Sequence, residues 1–331
     1  MNIYVVCTSS ENLNHILESD YRRVKLVESV DQADLILILH RSALVSRIKT
    51  FGKPTIFISF EPDEAWHGAE YFLAQFNLTV TSDARIHIQN HIIHPSYTTW
   101  LFTTMQVIND RHVLSIKTDK PVSVCRRDDK AKRNICLITS NKSWTAGHQK
   151  RLKIVAAIMA NEDLKDIVDV YGHGFRPLGR KFDVLKEYDS VIIIENQEKE
   201  DYWTEKLADS IILEQNIFYI GCQNIYKFFY EENIKLAKYS ENIEDYINAI
   251  IKWSKLDAKY IYGNQKVKAN RRRVLEDYGV LGLVQRFSDH MILNKTLILK
   301  PAYEFSDNFW RCSAKKFFYC FQKAMLKLRK L

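Results

Sequence analysis

The stretch that most constrains this chain is Ser190-Val-Ile-Ile-Ile-Glu195-Asn196, followed by a polar loop and then Tyr202-Trp203-Thr204-Glu205-Lys206. Val191 to Ile194 is an unbroken β-branched run, which predicts a strand buried on both faces, since a half-buried strand would alternate with polar residues. A helix is predicted to open at Thr204, with Glu205 and Lys206 in its first turn. Residues 217–220 form a second apolar run, closed by Gly221. Strand, loop, helix and strand make a βαβ unit, and such units bind ligands at the carboxyl ends of their strands. The loop and helix start carry a carboxylate, an amide, a phenol and a Glu-Lys pair. Amide and carboxylate suit hydroxyl groups, whereas a lysine at a helix end receives negative charge. The combination suits a sugar joined to a diphosphate.

Similar buried runs recur upstream. Residues 3–7, 23–27, 35–39 and 55–60 read as strands separated by polar or helical stretches, 12–17 among them, which predicts a first Rossmann-like domain. The charge-rich segment from Asp110 to Arg133 is expected to hold the domain boundary, near 118–132. Residues 134–139 then open a second Rossmann-like domain, followed by the polar loop Ser140 to His148 and a helix from Gln149 to Ala160. Arg151 is expected in that helix's first turn, where a guanidinium can fork onto a phosphate. Ile167 to Gly174 reads as a strand and turn, and Ile225–Phe229 and Ile243–Trp253 as helices, the second preceded by Ser240. Residues 257–290, with Arg271-Arg272-Arg273, are expected to be helical with their charges on a solvated face. The expected organisation is 1–117, an acceptor domain; 118–300, a donor domain; and 301–331, a basic tail.

Charge narrows the partners. The chain of 331 residues has a formal net charge of +8, and 301–331 holds seven Lys/Arg against Glu304 and Asp307. The basic balance is therefore mostly a tail property, which argues against a nucleic-acid-binding face. In the tail, Phe317, Phe321, Ala324, Leu328 and Leu331 share one helical stripe, with Lys316, Lys323, Lys327 and Lys330 opposite. Such a helix suits an anionic membrane surface; a terminal helix docked on the first domain is the other reading. The six cysteines lack CxxC spacing, so neither zinc nor a disulfide framework is expected. Cys7 and Cys136 fall in strand-like runs and read as buried free thiols of a reducing compartment. A strand begins at Ile3 and no run approaches the ~20 apolar residues needed to span a bilayer. The expectation is a cytoplasmic protein, peripheral on the inner face of the membrane.

Glu195-Asn196, five residues, then Tyr202-x-Thr204-Glu205-Lys206 and a short strand closed by Gly221 resembles the donor-site signature of the α1,3-fucosyltransferases, glycosyltransferase family 10. The match spans about 134–222 and, through Phe76-Asn77 to Ile86, about 55–86. The resemblance implies a GT-B arrangement of two Rossmann-like domains facing a cleft. It implies inverting transfer of L-fucose from GDP-fucose to a glycan hydroxyl, of lipopolysaccharide or O-antigen type. Glu61 matches the family's catalytic base. His67, His94 and Tyr97 read either as contributors to an acceptor cleft or as ordinary surface or packing residues. Arg151 matches its donor-binding arginine, and Asp169-x-Tyr171-Gly172 its nucleotide-side loop. Glu195, Asn196, Tyr202, Glu205 and Lys206 complete the expected donor set. No Asp-x-Asp motif stands at a strand end, so cations and a helix end are expected to replace a metal. Ile194 stands where the family usually has Phe, and Phe218 where it usually has Pro. Both are expected at the donor pocket. The alternatives are therefore another nucleotide sugar on the same scaffold, or a catalytically silent sugar-nucleotide-binding protein.

Overall fold

The computed structural model describes residues 1–6, 25–27, 29–39, 50–58, 70–95, 105–108, 111–114, 132–256 and 263–278, with 282, 284, 286 and 287. Outside the described residues lie Glu61, His67, Tyr97, Cys7, the helix expected at 12–17, nearly all of the expected boundary at 118–132 and the whole tail 301–331.

The first half forms a six-stranded sheet from β1 (Asn2–Val6), β2 (Lys25–Leu26), β3 (Leu35–Leu39), β4 (Thr55–Ile58), β5 (Leu78–Thr81) and β6 (His91–Ile93). All pairings are parallel, in the order β2-β1-β3-β4-β5-β6. Ile36, Ile38 and Phe57 pack with Phe72, Leu73 and Phe76, with the Phe57 and Phe76 rings stacked 5.0 Å apart. Phe76 and Asn77, which match the family's acceptor-domain stretch, are buried here. The Asn77 Oδ1 accepts from the Thr55 backbone N–H and hydroxyl, both at 3.0 Å, and so pins β4 to β5. A two-stranded antiparallel pair, β7 (Met105–Ile108) and β8 (Arg111–Leu114), follows.

The second half builds a five-stranded parallel sheet from β9 (Lys132–Ile138), β10 (Val168–Tyr171), β11 (Tyr188–Ile194), β12 (Asn216–Ile220) and β13 (Ile234–Leu236). Its order is β10-β9-β11-β12-β13. The β11 run explains itself by period two. Val191 and Ile193 face the cluster that holds Leu207, Ile211 and Ile212 of one helix, Glu205–Ile212. Ile192 and Ile194 face the other side, with Ile154, Ile158, Ile247 and Ile250 from Ala146–Ala160 and Ile243–Ser254. Each fully buried aliphatic side chain contributes ~1.5–3 kcal/mol, so both faces are needed to hold this strand central. In chain order, the helices after the short α1 (Glu70–Leu73) are α2 (Ala146–Ala160), α3 (Lys181–Leu185), α4 (Glu205–Ile212), α5 (Ile243–Ser254) and α6 (Gln265–Arg272). Two parallel sheets with flanking helices are the α/β architecture expected of the GT-B arrangement. The halves touch where the His94 ring lies 5.8 Å from Tyr278 and 5.5 Å from Phe287.

Several local expectations are corrected. α2 begins at Ala146, three residues before the expected Gln149, because Thr145 and His148 form a capping box. The Thr145 hydroxyl accepts from the His148 N–H at 3.2 Å, and His148 Nδ1 accepts from the Thr145 N–H at 3.3 Å. Arg151 consequently lies in the second turn of α2, not the first. The cap of α5 is Asn242, whose Oδ1 accepts from the Glu244 N–H at 3.1 Å, while Ser240 donates to Asp245. Within 257–290, Arg271 is buried near Glu214, and Arg273 donates to the Phe228 carbonyl at 2.9 Å and covers the Tyr230 ring. Those two arginines are packed, and Arg272 alone of the three stands exposed. Ile225–Lys227 is a single 3-10 turn. Phe218 is fully buried with its ring 5.4 Å from Trp253, so that departure from the family pattern fills the core and not the donor pocket.

Candidate donor site

Numbered within the second sheet, the strand order is 2-1-3-4-5. The strand order reverses between β9 and β11, and open α/β sheets bind ligands outside the carboxyl ends at such a point. Ser140 follows β9 and Glu195-Asn196 follows β11, so Arg151, Glu195 and Asn196 of the sequence-expected residues meet there. The closeness is extreme at one position: a Cβ on Gly147, in the first turn of α2, would lie 1.7 Å from the Asn196 carbonyl oxygen. Only glycine lets the two loops touch. Gly221 serves the same end at β12, where a Cβ would meet the Glu195 Cγ at 2.7 Å.

Arg151 braces this junction. Its guanidinium is 4% exposed, donates to the Ser140 carbonyl at 3.0 Å and to the Lys142 carbonyl at 3.4 Å, and bonds the Asn196 side-chain oxygen. It ties the β9 loop to the β11 loop, a role that its sequence position did not disclose.

Glu195 also has a role that its residue type alone did not reveal. Its carboxylate is 2% exposed and sits on the start of α4. It accepts from the Thr204 N–H at 2.9 Å, from the Thr204 hydroxyl at 2.8 Å and from Lys206 Nζ at 3.3 Å. A carboxylate at a helix N-terminus is stabilising, so Glu195 caps α4 electrostatically and fixes Lys206. Lys206 Nζ is also 3.5 Å from Glu205. Burial works against the ammonium, yet Glu205 and Glu195 hold its pKa above the ordinary lysine value.

The loop between Asn196 and Thr204 is firmly held. Asp201 adopts a left-handed φ of 54°. It keeps it through Asn224, whose Oδ1 accepts from the Asp201 N–H at 2.9 Å, and through Lys227 at 3.0 Å. Glu198 anchors the same loop to the neighbouring helices, accepting from the Tyr246 hydroxyl at 2.6 Å and pairing with Lys150 at 2.7 Å. The turn at Asp201 directs Tyr202 and Trp203 inward, each 1% exposed. Tyr171 is spaced from this group: its hydroxyl lies 2.9 Å from that of Tyr188, which donates to Asp169 at 2.8 Å. Gly172, at φ +120°, passes so close to β9 that a Cβ would meet the Thr139 oxygen at 1.8 Å.

One residue that drew no role from sequence joins the site. His148 has its pKa pushed down to about 4, first by burial and then by Arg151, Lys142 and Lys206. Three cations thus act on one imidazole at the start of α2. The Thr145-x-x-His148 spacing, read as a capping box, was the signal available in the sequence. A cleft of about 620 Å3 opens beside it, lined by Gly147, Lys150, Arg151, Glu195, Asn196 and Tyr239 among others. Ligand pockets commonly span ~300–1,000 Å3, and this cleft falls within that range. Lys206, Glu205, Tyr202 and Tyr171 are not part of that lining. Among the described residues no group of three His, Cys, Asp or Glu side chains could hold a metal ion, and no helix is long and apolar enough to cross a membrane.

What the fold and site define is a two-sheet α/β protein with cationic and amide side chains gathered at the switch point of its second sheet. No family model matches the chain, and no curated protein matches it. Among solved structures, an α1,3-fucosyltransferase is similar at 14% identity, covering 93% of this chain and 92% of that chain, with a TM-score of 0.48. The structure of an α1,3-fucosyltransferase with GDP-fucose is similar at 14% identity and the same coverage, with a TM-score of 0.44. A glycosyltransferase from Rickettsia africae ESF-5 is similar at 10% identity, over 90% of this chain and 98% of that one, with a TM-score of 0.45. Each is a likeness in outline; what the site can bind follows from its own residues.

Proposed function

We propose that this chain is an inverting glycosyltransferase whose donor is a nucleoside-diphosphate sugar, GDP-fucose being the donor that its motif register favours. The observation that carries the reading is the switch-point junction, where Arg151 of α2 bonds the Asn196 side chain beside a cleft lined by Lys150, Arg151, Lys153 and Asn196. A diphosphate would be drawn to the cations and to the start of α2, while Asn196 and Glu205 offer hydrogen bonds to sugar and ribose hydroxyls. In the transfer, an acceptor hydroxyl attacks the anomeric carbon from the face opposite the diphosphate. The bond from that carbon to the diphosphate oxygen breaks, and the nucleoside diphosphate leaves with the electron pair. Lys206 and Arg151 would offset the charge that develops there, and Glu61 would take the acceptor's proton.

The acceptor would be a glycan of the lipopolysaccharide or O-antigen type, and the basic tail would hold the enzyme on the anionic inner face of the cytoplasmic membrane. Ile194, which lines the cleft where the resembled family has Phe, keeps a different nucleotide sugar as the second reading. A thermal-shift panel of nucleotide sugars separates the two. A ligand at 100 times its Kd raises stability by about 2.7 kcal/mol. Stabilisation by GDP-fucose, with slow release of GDP in the absence of acceptor, supports the first reading. Stabilisation by another donor alone replaces it, and no response to any nucleotide sugar refutes both.

A further inference from the structure

One wall of the cleft beside the switch point is aromatic. Tyr239, in the segment between β13 and α5, lines it together with Arg151 and Asn196. The residue is 48% exposed, yet three contacts fix its place. Its backbone N–H donates to Gln223 Oε1 at 3.2 Å, its hydroxyl donates to Glu241 Oε1, and Lys150 Nζ lies 4.2 Å from the ring centroid. Lys150 is itself held, donating to the Ser240 carbonyl at 2.7 Å and pairing with Glu198 at 2.7 Å. The ammonium takes one ring face, which leaves the exposure to the other face and the edge. Ile154, Ile194 and Ile243 add an apolar lining to the same cleft. An oriented, open ring beside apolar side chains suits a flat partner, because stacked ring systems gain attraction beyond the area they bury.

Glu241 narrows which flat partner. Its carboxylate lines the cleft, is exposed, and is tethered at the rim of the ring by the Tyr239 hydroxyl. An ionised carboxylate only accepts hydrogen bonds, and its two oxygens can receive two donors side by side. Among nucleobases, guanine alone carries such a pair on one edge, the ring N1–H and the exocyclic N2 amino group. Uracil has a single N–H between two carbonyls. Adenine and cytosine set an amino group beside an unprotonated ring nitrogen, which a carboxylate repels. Aromatic plate and carboxylate together therefore select for guanine.

The geometry points to a guanine subsite in this cleft, with the base stacked on the open face of Tyr239 and its N1–H and N2 amino group donating to Glu241. The diphosphate then lies toward Arg151 and the start of α2. This rests on the nucleotide-sugar reading, but Tyr239 and Glu241 stand outside the motif that favours GDP-fucose. The test uses the full chain and calorimetric Kd values for GDP, IDP, UDP and inorganic pyrophosphate, with melting curves as the check on folding. Wild-type protein should bind GDP more tightly than pyrophosphate, and more tightly than IDP, which lacks the N2 amino group, by about five-fold or more. Tyr239→Ala should weaken GDP by about five- to 150-fold, the usual loss when a base-stacking ring is removed, and leave pyrophosphate unchanged. Tyr239→Phe keeps the ring and should retain at least about a third of the affinity. Glu241→Gln should bring GDP and IDP to similar affinities, because the new amide N–H opposes the guanine donors. Equal losses of GDP and pyrophosphate in Tyr239→Ala would make the ring structural only. An unchanged GDP-to-IDP ratio in Glu241→Gln, or a wild type that prefers UDP or binds pyrophosphate as well as GDP, overturns the proposal. Should Tyr239→Ala not fold, the Glu241→Gln ratio decides alone. A wild type that binds none of the four probes fails the nucleotide-sugar reading itself, which separates that failure from this one.

Discussion

Gly147→Ala is the substitution for which local and tertiary physics disagree in sign. Gly147 is the second residue of α2, and on helix propensity alone alanine there gains ~0.5–1 kcal/mol. The structure sets a larger opposing term. The new Cβ would lie 1.7 Å from the Asn196 carbonyl oxygen and 2.8 Å from its carbon. Carbon–carbon contacts are optimal near 3.5–4.0 Å, so the α2 start and the β11 loop must separate by about 1.7 Å or more. Neither partner is the tip of a flexible side chain. The α2 start is held by the Thr145–His148 box, and the Asn196 backbone leads straight out of β11. Overpacking of this kind costs ~1–3 kcal/mol, which outweighs the propensity gain. The displacement also carries the Asn196 amide away from Arg151, one turn along α2. A misplacement of ~1 Å can cost ~10² in rate, so turnover should fall further than stability suggests. Gly179→Ala is the control, since nothing lies within 4 Å of a Cβ there and its φ is ordinary. Melting curves, GDP affinity by calorimetry and donor turnover should show Gly147→Ala impaired in all three and Gly179→Ala in none. A Gly147→Ala protein with unchanged melting temperature and affinity would refute the close approach on which the site is built.

Other outcomes follow from the same geometry. Lys206→Ala and Arg151→Ala should each weaken nucleotide-sugar binding by ~1.5–3 kcal/mol, the usual cost of a lost charge-assisted contact; wild-type affinity in folded variants would remove them from the site. Glu61→Gln keeps shape and should leave donor affinity intact while turnover falls ~10²–10⁴; a variant above about a third of wild-type turnover excludes Glu61 as the base. His94, half-buried against Tyr278 and Phe287, has its pKa pushed down to about 4 by burial, with the nearby Arg286 adding to the effect. Its unfolded value near 6.5 is higher, so the unfolded state binds the proton first and stability falls as pH drops from about 6.5 towards 4. The loss is about 2 kcal/mol by pH 5. His94→Phe should flatten that part of the pH–melting curve, and an unchanged slope would contradict it. Truncation after Ser313 removes six Lys/Arg and the apolar stripe of the tail; vesicle flotation should be lost while activity on a soluble acceptor fragment persists. Unchanged flotation with a lowered melting temperature would instead mark a docked terminal helix.

Patterns that depend on near neighbours were already written in the chain. The Val191–Ile194 run declared a strand covered on both faces, and Thr204 declared the start of α4, since burial period and capping are properties of a few consecutive residues. Cys136 could be read as buried for the same reason. β13 is too short, at three residues, for periodicity to show it. The start of α2 lies three residues ahead of Gln149 because His148 folds back on Thr145. What only the tertiary structure decided were the approaches between distant segments. Strand order is one of them, and with it the switch point that brings Ser140 beside Asn196. Others are the backbone contact that requires glycine at 147, and the burial of Arg271 and Phe218 where local polarity or family pattern suggested otherwise. The assignment of the Glu195 carboxylate to the start of α4, and of Asp209 to Lys181 28 residues away, belongs to the same class. A residue's type states what it can bind. Which partner reaches it depends on packing across the sheet, and no local window of the chain contains both.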